Sequence, residues 1–90
     1  MRNWRYTLKS GVQLRKAVKE ENVNAVCEAL EAAWKEIHSQ FPDEYEEYEL
    51  ENDLENVAEV RDSEDIEQAD YLLGELYDYC DNTRIWVELD

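Results

Sequence analysis

A long apolar periodicity in the middle of the chain leaves few choices of fold. Between positions 23 and 41, apolar residues recur at spacings of three and four, which at about 100° per residue keeps them on one helix face. These residues are Val23, Val26, Cys27, Leu30, Ala33, Trp34, Ile37 and Phe41. The pattern predicts a long helix that begins at a cap supplied by Asn22 or Asn24 and ends at Pro42.

A shorter helix is predicted before this one. Ser10 and Gln13 match the S-x-x-Q capping box, in which the serine oxygen and the glutamine side chain bind free backbone amides. We therefore expect a helix from position 11 to about position 21, with Leu14, Ala17 and Val18 facing inward.

Two amphipathic segments follow the proline. The third helix is expected to begin near Asp43 or Glu49 and to end at about Arg61. Its inward stripe comprises Leu50, Leu54, Val57 and Ala58. Asp62 and Ser63 then supply the cap of a fourth helix. That helix faces inward with Ile66, Ala69, Leu73, Leu76, Tyr77 and Cys80, contains Gly74, and ends at Asp81 and Asn82.

Both ends of the chain alternate with the two-residue period of a half-buried strand. Near the N-terminus, Trp4, Tyr6 and Leu8 share one face, and the C-terminal segment places Ile85, Val87 and Leu89 on one face. Two terminal strands are most simply paired with each other, in a direction that the pattern leaves open. The fold class is therefore α+β: about four helices and a small two-stranded ribbon in a single acidic domain, residues 1–90.

Charge is distributed unevenly along the chain. From Asp43 to Asp81 there are 17 acidic residues, and Arg61 is the only cation, which makes −16 locally against −15 for the whole chain. The first 19 residues contain six basic side chains and no acid. We expect this basic strand and first helix to pack beside the acidic helices and to neutralise part of their repulsion.

The residues that carry chemistry form no recognisable active site. Cys27 and Cys80 lie far apart in helical patterns, so we expect both to be reduced and buried. His38 is eleven residues beyond Cys27, a rise of about 16 Å, and is expected to be structural or exposed. Two glycines cannot form a phosphate-binding loop. We therefore predict no enzyme activity, cofactor or metal. We also predict a cytoplasmic location, because no segment has the character of a membrane span or signal peptide.

The candidate site is the Tyr-Glu turn DEYEEYE and the row of glutamates that follows it. Tyr45 and Tyr48 do not share the phase of the third helix, and glutamates recur every four residues, where like charges each cost a few tenths of a kcal/mol. Carboxylates on successive turns are about 6 Å apart, comparable to phosphates along a strand. The predicted partner-binding residues are Glu44, Tyr45, Glu47, Tyr48, Glu51, Glu55 and Glu59.

These residues suggest an interaction protein that presents a phosphate-like surface to a basic partner, such as a nucleic-acid-binding protein, and does not itself bind nucleic acid. In general type the arrangement resembles the DNA-mimicking inhibitors of phages and other mobile elements, such as anti-restriction and anti-CRISPR proteins, which share charge and small size. The alternative is a structural or adaptor module whose acidity serves solubility alone; the sequence leaves open whether it forms a homodimer through an edge strand or an apolar helix face.

Overall fold

The computed structural model describes residues 3–87 and contains four helices and two short strands. In chain order the elements are β1 (Tyr6–Thr7), α1 (Gly11–Glu20), α2 (Val23–Gln40), α3 (Glu47–Ser63), α4 (Ile66–Asn82) and β2 (Ile85–Trp86). The predicted fold class, a mainly helical α+β chain with a ribbon made by its two ends, is confirmed.

Helix α2 is the centre of the fold because it packs against all three other helices. The predicted apolar face of α2 is buried from Val26 to Ile37, and Asn22 caps the first turn by accepting a hydrogen bond from the amide of Ala25 at 3.1 Å. Both cysteines are free and buried, as expected. Burial raises the pKa of Cys27 and raises that of Cys80 to about 12, so both thiols remain protonated packing groups.

The two strands pair in parallel, which settles the direction that the sequence left open. Tyr6 lies opposite Ile85 and Thr7 opposite Trp86. A parallel pair needs a long crossover, and here all four helices form it. Arg84, in the left-handed region at φ 62°, turns the chain from α4 into β2. The strands are shorter than their alternation indicated, and positions 88–90, including Leu89, lie outside the described residues.

Two of the predicted helix caps are wrong. Ser10 precedes α1, but its side chain caps no amide of that helix; its hydroxyl donates instead to the Glu36 carboxylate on α2 at 2.7 Å. Helix α3 continues through Ser63, and Asp65 caps α4 by accepting from the Glu67 amide at 3.0 Å. In the first case Ser10 has a helical backbone (φ −68°, ψ −6°) instead of the extended conformation in which a side chain reaches back to cap the first turn.

The inward face of α3 is also rotated from the predicted stripe. Ala58 is exposed, whereas Val57 and Val60 are buried against the rest of the core. Arg61, on the same side, forms an ion pair with Glu31 of α2. The only cation of the acidic segment is therefore directed toward α2.

Candidate functional site

Tyr45, predicted to be a surface anchor, lies in the core. Only 3 % of its surface is exposed, and its ring stacks on that of Trp34 with centroids 5.0 Å apart. The ring of Tyr79 on α4 completes the cluster, 5.4 Å from Tyr45. The turn places Tyr45 here because the chain folds back after α2, and the Tyr45 amide donates to the carbonyl of Phe41 at 2.8 Å. The helical phase could not show this, because Tyr45 precedes the first residue of α3.

Polar contacts hold Tyr45 at both ends. Its hydroxyl donates to the Asp53 carboxylate on α3, and its carbonyl accepts from Nδ1 of His38 at 2.8 Å. Burial, followed by the hydrogen bond to Asp53, raises the pKa of Tyr45, which keeps its hydroxyl a donor. The interpretation of His38 as a structural residue agrees with this contact. The Tyr-Glu turn is thus anchored on both α2 and α3.

Glu44 of the same turn is engaged within the chain. The Arg5 guanidinium makes a two-pronged ion pair with its carboxylate, with one N–O distance of 2.9 Å. The same guanidinium donates from Nε to the carbonyl of Thr83 at 2.8 Å and lies 4.4 Å from the ring centroid of Phe41. The hydrogen bond from Arg5 holds the pKa of Glu44 below its ordinary value. Glu44 therefore joins the turn to both ends of the chain, although half of its side chain remains exposed.

Four of the predicted residues form an unpaired acidic surface, which we call the carboxylate row: Glu47, Glu51, Glu55 and Glu59. All four are exposed, and none of their side chains makes a hydrogen bond or ion pair with another residue of the described range 3–87. At 100° per residue, the row lies on the side of α3 roughly opposite Val57 and Val60.

The expected packing of α1 beside the acidic helices α3 and α4 is not found among the described residues. Helix α1 packs against α2 alone among the described helices, and within residues 3–87 no ion pair joins it to α3 or α4. The basic N-terminal segment reaches the acidic half at Arg5, through its pair with Glu44. Within residues 3–87, no basic side chain of α1 therefore pairs with the carboxylate row.

A second feature, not predicted from the sequence, is an open cavity of about 510 Å³ where α2, α3 and α4 meet; we call it the aromatic groove. It is lined by Trp34, Tyr45, Tyr48, Glu49, Asn52, Asp53, Glu75 and Tyr79. Four of these eight residues are aromatic and three are acidic, and none is basic. The lining comes from three helices and a turn, so no local pattern could reveal it.

Two carboxylates of the groove, those of Asp53 and Glu49, repel each other. Burial, and then repulsion from Glu49, raise the pKa of Asp53, although the hydrogen bond from Tyr45 acts in the opposite direction. The Glu49 carboxylate accepts from the Glu46 amide at 3.0 Å, which fixes it at the first turn of α3. Glu75 reaches the groove from α4 and is exposed. The groove therefore places three acidic side chains beside aromatic ones.

The aromatic groove and the carboxylate row are neighbouring surfaces of α3. Glu49 lies about 200° around the helix axis from Glu47, so the two surfaces face different directions. Tyr48 connects them, because it lines the groove, is 67 % exposed and precedes Glu51 by three residues. Of the two out-of-phase tyrosines of the turn, Tyr48 is the one at the surface.

The described residues offer little else for chemistry. Within positions 3–87, no group of three or more histidine, cysteine or acidic side chains is placed to hold a metal ion. None of the helices in that range has the length and apolar character needed to cross a membrane.

Comparison of the chain with protein-family models, with curated proteins and with solved structures finds no match.

Proposed function

We propose that this protein is a non-enzymatic inhibitor or interaction module that binds the basic surface of a nucleic-acid-binding protein in place of the nucleic acid. The observation that carries the proposal is the carboxylate row, four exposed side chains on one helix that form no ion pair with a cation of positions 3–87. The encounter belongs in the cytoplasm, where the two free cysteines would stay reduced.

The physics of the row favours a basic partner. Successive carboxylates, about 6 Å apart, present charge at intervals similar to those of backbone phosphates. A basic cleft that follows a phosphate backbone can therefore engage several carboxylates at once, and the −15 net charge accelerates the encounter. The same field repels nucleic acid, so the protein competes with it for the partner.

Affinity capture tests the proposal. The immobilised protein should retain nucleic-acid-binding proteins from a lysate, release them as salt is raised, and lose them when duplex DNA is added as a competitor. Replacing Glu47, Glu51 and Glu55 together by Gln should weaken retention at least tenfold.

A matched triple variant, Glu64→Gln, Glu67→Gln and Asp78→Asn, removes the same charge from exposed positions outside the row. It should weaken retention much less. Equal losses in both variants, or retention that DNA does not compete with, would contradict mimicry.

An exposed aromatic pair favours the alternative, an adaptor module that forms a homodimer. Trp4 and Trp86 are 38 % and 40 % exposed, and their ring centroids are 5.1 Å apart beside a cavity of about 220 Å³ on the ribbon. On this alternative, sedimentation gives a dimer that Trp86→Ser dissociates. A monomer at all concentrations would remove the alternative.

A further inference from the structure

The aromatic groove joins the two kinds of surface that hold a cation in proteins. Aromatic rings attract cations through their quadrupole, and carboxylates attract them through charge. Its volume of about 510 Å³ is within the range of ligand sites, about 300–1,000 Å³. None of the described residues that line it is basic, so positions 3–87 contribute no counter-charge to its walls.

We propose that the aromatic groove binds an arginine side chain of the basic partner. The inference rests on the proposed function and names the contact at which the partner is anchored. An arginine guanidinium is flat, stacks on aromatic rings and pairs with carboxylates through two parallel hydrogen bonds, whereas a lysine ammonium is a compact, strongly hydrated charge.

The positions of the three acids suit such a guest. Asp53 is held by the hydroxyl of Tyr45, and Glu49 by the amide of Glu46, so neither has to be ordered when the guest arrives. Glu75 approaches from α4, on the other side of the groove. A guanidinium between these helices would relieve the repulsion that now acts between Asp53 and Glu49.

The carboxylate row would bring the partner's arginine to the aromatic groove. The carboxylate row attracts a basic face from a distance, and Tyr48 stands between the row and the groove. A partly exposed tyrosine beside a pocket is a frequent binding hot spot. The partner's arginine therefore enters at the end of α3 where the row begins.

A peptide titration tests the site directly. The probes are two blocked tripeptides, acetyl-Gly-Arg-Gly-amide and its citrulline analogue, which has nearly the same shape but no charge. Followed by NMR, the arginine peptide should shift the ring signals of Tyr48 and Tyr79 and the carboxyl signals of Asp53 and Glu75. The citrulline peptide should bind at least fivefold more weakly, and the rings of Trp4 and Trp86 should not respond.

Variants of α4 separate the groove from general electrostatics. Glu75→Gln removes a lining carboxylate that makes no hydrogen bond within residues 3–87, so the fold should be unaffected. It should raise the dissociation constant of the arginine peptide at least fivefold. Glu67→Gln makes the same charge change on the same helix outside the groove and should alter it less than twofold.

Equal binding of both peptides, or equal effects of both variants, would overturn the inference. If Glu75→Gln and Tyr48→Ala leave partner capture intact while the row variant abolishes it, the groove has no role and the proposed function stands. If no basic partner is captured at all, the proposed function fails, and the groove's role in it fails too, even where the arginine peptide binds.

Discussion

Glu36 shows how one side chain can organise the start of a fold. From the middle of α2, its carboxylate accepts hydrogen bonds from the Tyr6 hydroxyl, the amides of Lys9 and Ser10, at 2.6 and 2.8 Å, and the Ser10 hydroxyl. Its negative charge also lies at the N-terminus of α1, where the helix dipole favours it. One carboxylate therefore holds β1 and α1 on α2.

Glu36→Gln should destabilise the protein by about 1–3 kcal/mol, since an uncharged amide replaces the acceptor of several charge-assisted hydrogen bonds. Urea unfolding measures the change. Gln13→Ala is the control and should cost less than about 0.5 kcal/mol, because Gln13 is exposed and its predicted capping box is not formed. A larger effect of Gln13→Ala than of Glu36→Gln would contradict this account.

The contribution of Glu36 should also depend on pH. Burial raises the pKa of its carboxyl group, but the hydrogen bonds from Tyr6, Ser10 and Lys9 outweigh burial, and the pKa is lowered overall. Its contribution is therefore complete above the unfolded value of about 4.3 and is lost as the pH falls through the folded value.

The difference in unfolding free energy between the wild type and Glu36→Gln should consequently be constant from about pH 6 to 7 and shrink below about pH 4.5. Urea unfolding between pH 3 and pH 7 measures it. A difference that grows on acidification would show that the carboxylate does not have this role.

At the scale of elements, the Tyr-Glu turn DEYEEYE places its two tyrosines in different environments. Tyr45 packs between Trp34 and Tyr79, whereas Tyr48, in the first turn of α3, is exposed. The same turn thus contributes one residue to the core and one to the rim of the aromatic groove.

Substitutions should separate these roles. Tyr45→Ala should cost about 3–5 kcal/mol, as for other large buried aromatics, and Tyr45→Phe about 1 kcal/mol for the lost hydrogen bond to Asp53. Tyr48→Ala should change stability by less than about 0.5 kcal/mol. Thermal unfolding followed by circular dichroism gives all three values. Similar costs for Tyr45→Ala and Tyr48→Ala would mean that the turn packs differently.

Helix α4 contains a glycine that its packing does not require. A Cβ atom built on Gly74 meets nothing within 4 Å, and the residue does not have a positive φ. Gly74→Ala should therefore stabilise the protein by about 0.5–1 kcal/mol. Gly74→Asn should gain less, because asparagine is a poorer helix former. Loss of stability in Gly74→Ala, measured by urea unfolding, would indicate a close neighbour at this position.

At the scale of the whole molecule, charge is segregated rather than neutralised. Helix α1, with Arg15, Lys16 and Lys19, packs on α2, while α3 and α4 carry 12 of the 24 acidic residues. The protein measures 35 × 31 × 17 Å, and the Debye length is about 10 Å at 0.1 M salt. Most of its charges therefore lie within about two or three Debye lengths of one another. Repulsion among the acidic helices should therefore oppose folding at low salt.

Raising sodium chloride from about 0.01 M to 0.1 M, which shortens the Debye length from about 30 to 10 Å, should increase the free energy of unfolding by about 1 kcal/mol. The variant with Gln at positions 47, 51 and 55 should be more stable at low salt and gain less from added salt. Denaturation by urea, which is uncharged, measures both. A variant less stable than the wild type would mean that the row stabilises the fold.

Much of the fold follows from periodicity. The spacing of apolar residues identified α2 and its buried face, and alternation at both ends identified two strands that pair. These predictions succeeded because a helix or strand must bury one face, and the face is visible in the order of residues. The rotated stripe of α3 shows where this reasoning ends, because the pattern around Val57 does not say on which side the rest of the core packs: Val60 is buried and Ala58 is exposed.

Part of the candidate site could likewise be predicted from the sequence, and part could not. The sequence by itself determined the carboxylate row, because exposure of charged residues spaced by four follows from helix geometry alone. Only the tertiary structure decided the burial of Tyr45, the pairing of Glu44 with Arg5, and the aromatic groove. Each depends on which surfaces of α2, α3 and α4 face one another, and packing between residues far apart in sequence settles that.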